Sequence, residues 1–151
     1  MNTALRLLSR RDHSSVELAR KLAQRGFEAA DIATALAECE RLNYLDDRKV
    51  CDQIVAQQRR KGCGILRITQ ALRDKGIATA QIDSSLRRDC CEMNQIADCR
   101  RALAKKLKMK AFENKADAKE HLYRFLQSRG FVTATIRDVL FEEFPTNAEP
   151  P

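Results

Sequence analysis

Apolar residues recur along this chain at helical rather than strand spacing, and the same fifteen-residue pattern is written three times: "LAQRGFEAADIATAL" from Leu22, "LRDKGIATAQIDSSL" from Leu72 and "LQSRGFVTATIRDVL" from Leu126. Aligned, the copies pair Leu18, Ile68 and Leu122, then Leu22, Leu72 and Leu126, then Gly26, Gly76 and Gly130. Phe27, Ile77 and Phe131 follow the glycines, with Ile32, Ile82 and Ile136 and then Leu36, Leu86 and Leu140 beyond. The chain has only five glycines, so three in one register indicate internal duplication.

The spacing fits a helix that ends at each glycine and a second that begins soon after. A left-handed residue closes a helix C-terminus at least cost when it is glycine, and the apolar residue after it packs back onto the last turn. This predicts Phe27 on Leu22, Ile77 on Leu72 and Phe131 on Leu126, with Phe27 and Phe131 in the core. The cations Arg25, Lys75 and Arg129 before the glycines sit where the helix dipole favours them. "SSVE" places Ser14 at an N-cap with Glu17 three residues on, a capping box. A further helical pattern precedes each pair: Leu5 and Leu8; Val50, Ile54 and Gln57 beside Val55; Ile96, Cys99, Leu103 and Leu107.

Three short helices can close a small core where two cannot, so the expected fold is all-α, an elongated tandem array of three three-helix units. The units fall at 1–45, 46–91 and 92–144, with 145–151 a disordered tail. Asp46 or Asp47 is placed to cap the helix that opens the second unit, and Asn114 or Asp117 a helix of the third.

Charge changes the picture from fold towards partner. The chain carries 28 Lys and Arg against 21 Asp and Glu, a formal +7. Seven cations face six carboxylates over 1–45, ten face six over 46–91, and eleven face nine over 92–151. Such a balance favours polyanions or acidic partners without specifying a fold. Arg59, Arg60 and Lys61 end one helix, Arg67 and Arg73 lie on the next, and Arg100, Arg101, Lys105, Lys106, Lys108 and Lys110 crowd a later stretch. These residues are read either as a solvated basic face or as contacts to phosphate or to an acidic protein surface. Few aromatic rings are left over from the core, which argues against a self-sufficient single-strand binder.

Catalysis finds no footing. His13 lies in a polar stretch beside a cap and His121 between charged helical neighbours, and "KGCG" at Lys61 follows a helix, so it reads as a tight turn and not a phosphate loop. The six cysteines lack zinc spacing and read as small, partly buried thiols; the vicinal Cys90 and Cys91 are a redox or metal pair only on a second reading. No catalytic, cofactor or metal site is expected. Nothing in the sequence is long and apolar enough for a membrane span or a signal peptide, and a monomeric cytoplasmic protein is expected.

"RRDHSSVELARKLAQRGF", "NYLDDRKVCDQIVAQQRRKGCGILRITQALRDKGI" and "RFLQSRGF" together resemble the RecX family, bacterial regulators of the RecA recombinase. The likeness is strongest from Tyr44 to Ile77, at Tyr44-Leu45-Asp46-Asp47, Lys61-Gly62, Gly64, Ile68 and Lys75-Gly76-Ile77. Val50 and Ala71 depart from it, standing where the family usually has Phe and an acidic residue. The resemblance implies a helical modulator lying in the groove of a RecA–DNA filament and restraining its growth, ATP hydrolysis, strand exchange and co-protease activity. The implied partners are the RecA filament and single- or double-stranded DNA. Arg59, Arg60, Lys61, Arg67 and Arg73 are the expected contacts; a basic helical protein acting directly on nucleic acid is the alternative.

Overall fold

A computed structural model describes residues 1–109 and 115–145, with 115 and 116 given by backbone alone; Lys110, Asn114 and 146–151 lie outside the described residues. The described residues form nine helices and no strand. In order these are α1 (Asn2–Leu8), α2 (Ser15–Ala23), α3 (Ala29–Arg41), α4 (Asp47–Arg60), α5 (Ile65–Asp74), α6 (Thr79–Asp89), α7 (Glu92–Met109), α8 (Lys115–Ser128) and α9 (Thr133–Glu143).

By internal packing the chain divides into two compact units. One is formed by Met1–Ile54 and Gln70–Ser85, the other by Val55–Thr69 with the described residues from Leu86 onward. In the first, α1, α2 and α3 close on Ala4, Leu7, Leu18, Leu22, Cys39 and Leu45. In the second, α7, α8 and α9 close on Cys99, Leu103, Leu122, Leu126, Phe131, Ile136 and Leu140. Each such fully buried aliphatic contributes roughly 1.5–3 kcal/mol relative to exposure.

The glycine turns are as the pattern requires. Gly26, Gly76 and Gly130 have φ of 84°, 72° and 84°. Phe27, Ile77 and Phe131 each donate their N–H to the carbonyl of the leucine five back, at 3.4, 3.1 and 3.3 Å. The glycine N–H groups reach the next carbonyls, Ala23, Arg73 and Gln127, at 2.9, 2.8 and 2.9 Å. These two bonds per turn satisfy carbonyls that the helix leaves open. The side chains differ: Ile77 and Phe131 are buried, whereas Phe27 is 41% exposed, so its expected place in the core is corrected.

The capping box is half made. Ser14 Oγ accepts from Glu17 N–H at 3.1 Å, but the Glu17 carboxylate turns to Arg11 and Lys75 instead of back to Ser14. Asp46 caps α4, accepting from Arg48 and Lys49 N–H at 2.9 and 3.1 Å. Asp47 instead ties α4 to α2, accepting from Ser15 N–H at 2.7 Å and its hydroxyl at 2.6 Å. Asp117 lies in the first turn of α8. His13, read from its polar setting, is in fact 2% exposed, and its Nδ1 stands 3.2 Å from Glu17 Oε2. Cys39, Cys51, Cys63, Cys90 and Cys99 are buried thiols and Cys91 is exposed.

Candidate functional site

The second unit holds a basic cavity of about 230 Å³ built from three helix segments. The end of α4 supplies Arg59 and Arg60, and the turn after it Lys61 and Gly62; α7 supplies Arg101, Lys105 and Lys106; α8 and its turn supply Phe125 and Arg129. Arg101 and Lys105 share one stripe of α7 because residues four apart lie on one face of a helix. Among the described residues, seven cations and no carboxylate line the space.

Cations crowded together repel, so something must hold them. Asp98, on α7 and 1% exposed, does this for two of them. Its Oδ2 accepts from Arg59 Nε at 2.6 Å and its Oδ1 from Arg59 Nη2 at 3.2 Å, while Arg101 Nη2 donates to Oδ1 as well. A two-point carboxylate contact fixes a guanidinium plane as well as its charge, and Asp98 pushes the Arg59 group still higher in pKa. Arg129 is fixed differently: Nη1 donates to Lys61 C=O at 3.2 Å, and its guanidinium carbon stands 5.2 Å from the centre of the Phe125 ring. Lys106 Nζ stands 5.1 Å from the same ring, so two cations share one aromatic π-system. Arg60, Lys61 and Lys105 form no ion pair among the described residues.

Three of the five expected contact residues, Arg59, Arg60 and Lys61, are thus brought together, though Arg59 is committed to Asp98. Arg67 is exposed and does not line the cavity; its Nη1 donates to Ser128 C=O at 3.1 Å, joining the start of α5 to the end of α8. Arg73, exposed in the last turn of α5, belongs to the other unit. Arg101, Lys105, Lys106 and Arg129 are additions. The first three are visible as a basic stretch whose i, i+4 spacing marks a face, and Arg129 is visible only as a dipole-compensating cation. Phe125 and Asp98 give no sequence signal of their own.

The fold is an all-helical repeat whose second unit carries a cationic cavity, and no group of three or more His, Cys, Asp or Glu suited to a metal occurs among the described residues. No described helix is long and apolar enough to cross a membrane. The chain belongs to the RecX family. Residues 1–39 match the first three-helix domain of RecX and residues 46–86 the second. It is 43% identical over 129 residues to the regulatory protein RecX of Vibrio campbellii, covering 85% of this chain and 81% of that one. It is 36% identical over 143 residues to regulatory protein RecX of Legionella pneumophila, covering 95% and 91%. The crystal structure of RecX from Lactobacillus salivarius, 18% identical, superposes with a TM-score of 0.82 over 93% of this chain and 92% of that one, which establishes the shared fold.

Proposed function

We propose that this protein is a cytoplasmic regulator, without catalytic activity of its own, that binds the RecA–DNA filament and restrains RecA ATP hydrolysis, strand exchange and co-protease activity. Its relatives are named regulatory proteins, in keeping with a modulator. The observation that carries the reading is the cavity of the second unit, where seven cations without a lining carboxylate give a polyanion or an acidic protein face a site already organised. The division into repeats at 1–45, 46–91 and 92–144 belongs to the same proposal, supported by the recurrence of one turn at Gly26, Gly76 and Gly130. A protein built of repeated units can spread modest contacts along a filament that itself repeats, and linked contacts gain avidity once the first is made.

A second reading, direct action on DNA, is favoured by Arg60, Lys61 and Lys105, which have no ion-pair partner among the described residues, since unpaired Lys and Arg release counterions from phosphates. One experiment separates the two: RecA ATP hydrolysis on single-stranded DNA with the protein added, beside a binding titration on the same DNA without RecA. Inhibition at concentrations well below those that coat bare DNA supports filament regulation. Unchanged hydrolysis alongside tight, salt-sensitive binding to bare DNA supports the second reading.

A further inference from the structure

The turns at Gly76 and Gly130 each receive the start of another helix. At Gly76 the start of α2 lies against the turn: Ser14 Oγ donates to Lys75 C=O, Lys75 Nζ meets Glu17 Oε1 at 3.2 Å, and Val16 sits over the glycine, 2.5 Å from where a Cβ would be. At Gly130 the start of α5 does the same: Gly64 N–H donates to Arg129 C=O at 2.9 Å, Leu66 N–H to Gly130 C=O at 3.0 Å, and Arg67 covers the glycine. The first turn of the series has the same backbone and no visitor among the described residues. A Cβ at Gly26 would meet nothing within 4 Å, and Arg25, matching Lys75 and Arg129, folds back onto Lys21 C=O of its own helix at 3.1 Å.

The side chains around that turn show the same vacancy. Ile77 and Phe131 are 5% and 1% exposed where Phe27 is 41% exposed, and Ile82 and Ile136 are buried where Ile32 is half-buried. Beside them lies a cavity of about 330 Å³, whose lining includes Leu22, Phe27, Ile32 and Ala35 together with the carboxylates Asp31 and Glu38. Both sister copies receive a helix start at the glycine and bury the apolar residues that follow it, whereas among the described residues the first copy does neither, and its turn has the look of an interface lacking its other half.

We propose that the Gly26–Phe27 turn and the groove beside it form a docking socket for the start of an amphipathic helix from a partner protein. The occupant's chemistry follows from the filled socket at Gly76. It is a hydroxyl-bearing N-cap that donates to the carbonyl of Arg25, an aliphatic residue two places on that covers Gly26, and a carboxylate one further that meets the freed Arg25 guanidinium. The starts of α2 and α5 in a second copy of this chain are poor occupants, because they already lie on Gly76 and Gly130. This inference concerns the first unit and stands apart from the basic cavity.

The probe is a synthetic peptide of residues 13–24, the helix start that fills the Gly76 socket, titrated into the isotope-labelled full chain and followed by amide shifts. Saturable shifts at Gly26, Phe27 and Ala35 are expected, at least tenfold weaker with Phe27→Asp or Ala35→Arg in the chain and with Val16→Asp in the peptide. Retained amide dispersion elsewhere shows that a variant is folded, and the two variants guard against loss of either one. Absence of shifts at millimolar peptide, shifts confined to Gly76, or shifts unchanged in both variants overturns the socket. A concentration-dependent dimer of the chain abolished by Phe27→Asp assigns the face to a second copy and equally overturns it.

Discussion

Gly76 and Val16 touch so closely that the glycine is required twice. Its φ of 72° disfavours any side chain, and a Cβ there would stand 2.5 Å from Val16 Cβ and 2.6 Å from Cγ1. Gly26 shares only the first constraint, with φ of 84° and open space around it. Gly26→Ala should therefore cost about 1 kcal/mol, and Gly76→Ala about 2–3 kcal/mol, because overpacking adds to backbone strain. Chemical denaturation of both variants checks the order; equal losses would remove the packing half of the argument.

Phe27 and Phe131 occupy one register with opposite burial. Phe131→Ala should cost about 3–5 kcal/mol, in line with emptying a core aromatic site, and Phe27→Ala about 1 kcal/mol or less. A comparison of unfolding midpoints decides it. A Phe27→Ala loss as large as that of Phe131→Ala would mean that Phe27 is a core residue after all.

Glu17 ties pH to stability. Burial raises its pKa, but the close approach of Arg11, His13 and Lys75 outweighs this and holds it at about 2, against 4.5 ordinarily. The unfolded state then takes up a proton before the folded one does, so stability is full above about pH 4.5 and falls as pH drops towards 2. The loss amounts to about 2–3 kcal/mol for this group alone. His13, whose pKa burial lowers, acts in the same direction below its ordinary 6.5. Urea unfolding at pH 7 and pH 3 tests this: Glu17→Gln should be less stable than wild type at pH 7, with the gap narrowing at pH 3. A gap of constant size would count against the assignment.

Asp98 is the buried counter-charge of the basic cavity. Asp98→Ala would leave Arg59 and Arg101 without a partner and the cations around them unrelieved, at a cost of about 3 kcal/mol. Arg59→Leu in that background should recover part of the loss, since it removes the stranded charge. Additive losses in the double variant, measured by denaturation, would show that the pair is not coupled.

Much of this fold is legible in the sequence because its signals are local. A glycine followed by an apolar residue, five residues after a leucine, describes a helix end completely, and the three copies reinforce one another. What was not legible depends on contacts distant along the chain. Phe27 carries the same local signal as Phe131, yet Phe131 joins the core closed by α7, α8 and α9 while Phe27 stays 41% exposed, a difference set by packing distant along the chain. Glu17 stands three residues after Ser14, as a capping box requires, but Arg11 and Lys75 offer its carboxylate full charges, a stronger attraction than a backbone N–H. Of the basic residues, Arg59, Arg60 and Lys61 are contiguous and therefore easily found together. Arg129 joins them only because α8 ends beside the α4 turn, and Arg67 and Arg73 are drawn elsewhere by the packing of α5.

The central claim is that the free cations of the cavity carry regulation of the RecA filament. The most direct measurement is RecA ATP hydrolysis on single-stranded DNA with Arg60→Glu, Lys61→Glu and Lys105→Glu combined in one protein. All three side chains are exposed, so the fold is expected to survive the change. The account predicts at least a tenfold rise in the concentration needed for half inhibition, with an unchanged melting temperature. Inhibition equal to that of the wild type, by a variant shown to be folded, would contradict it.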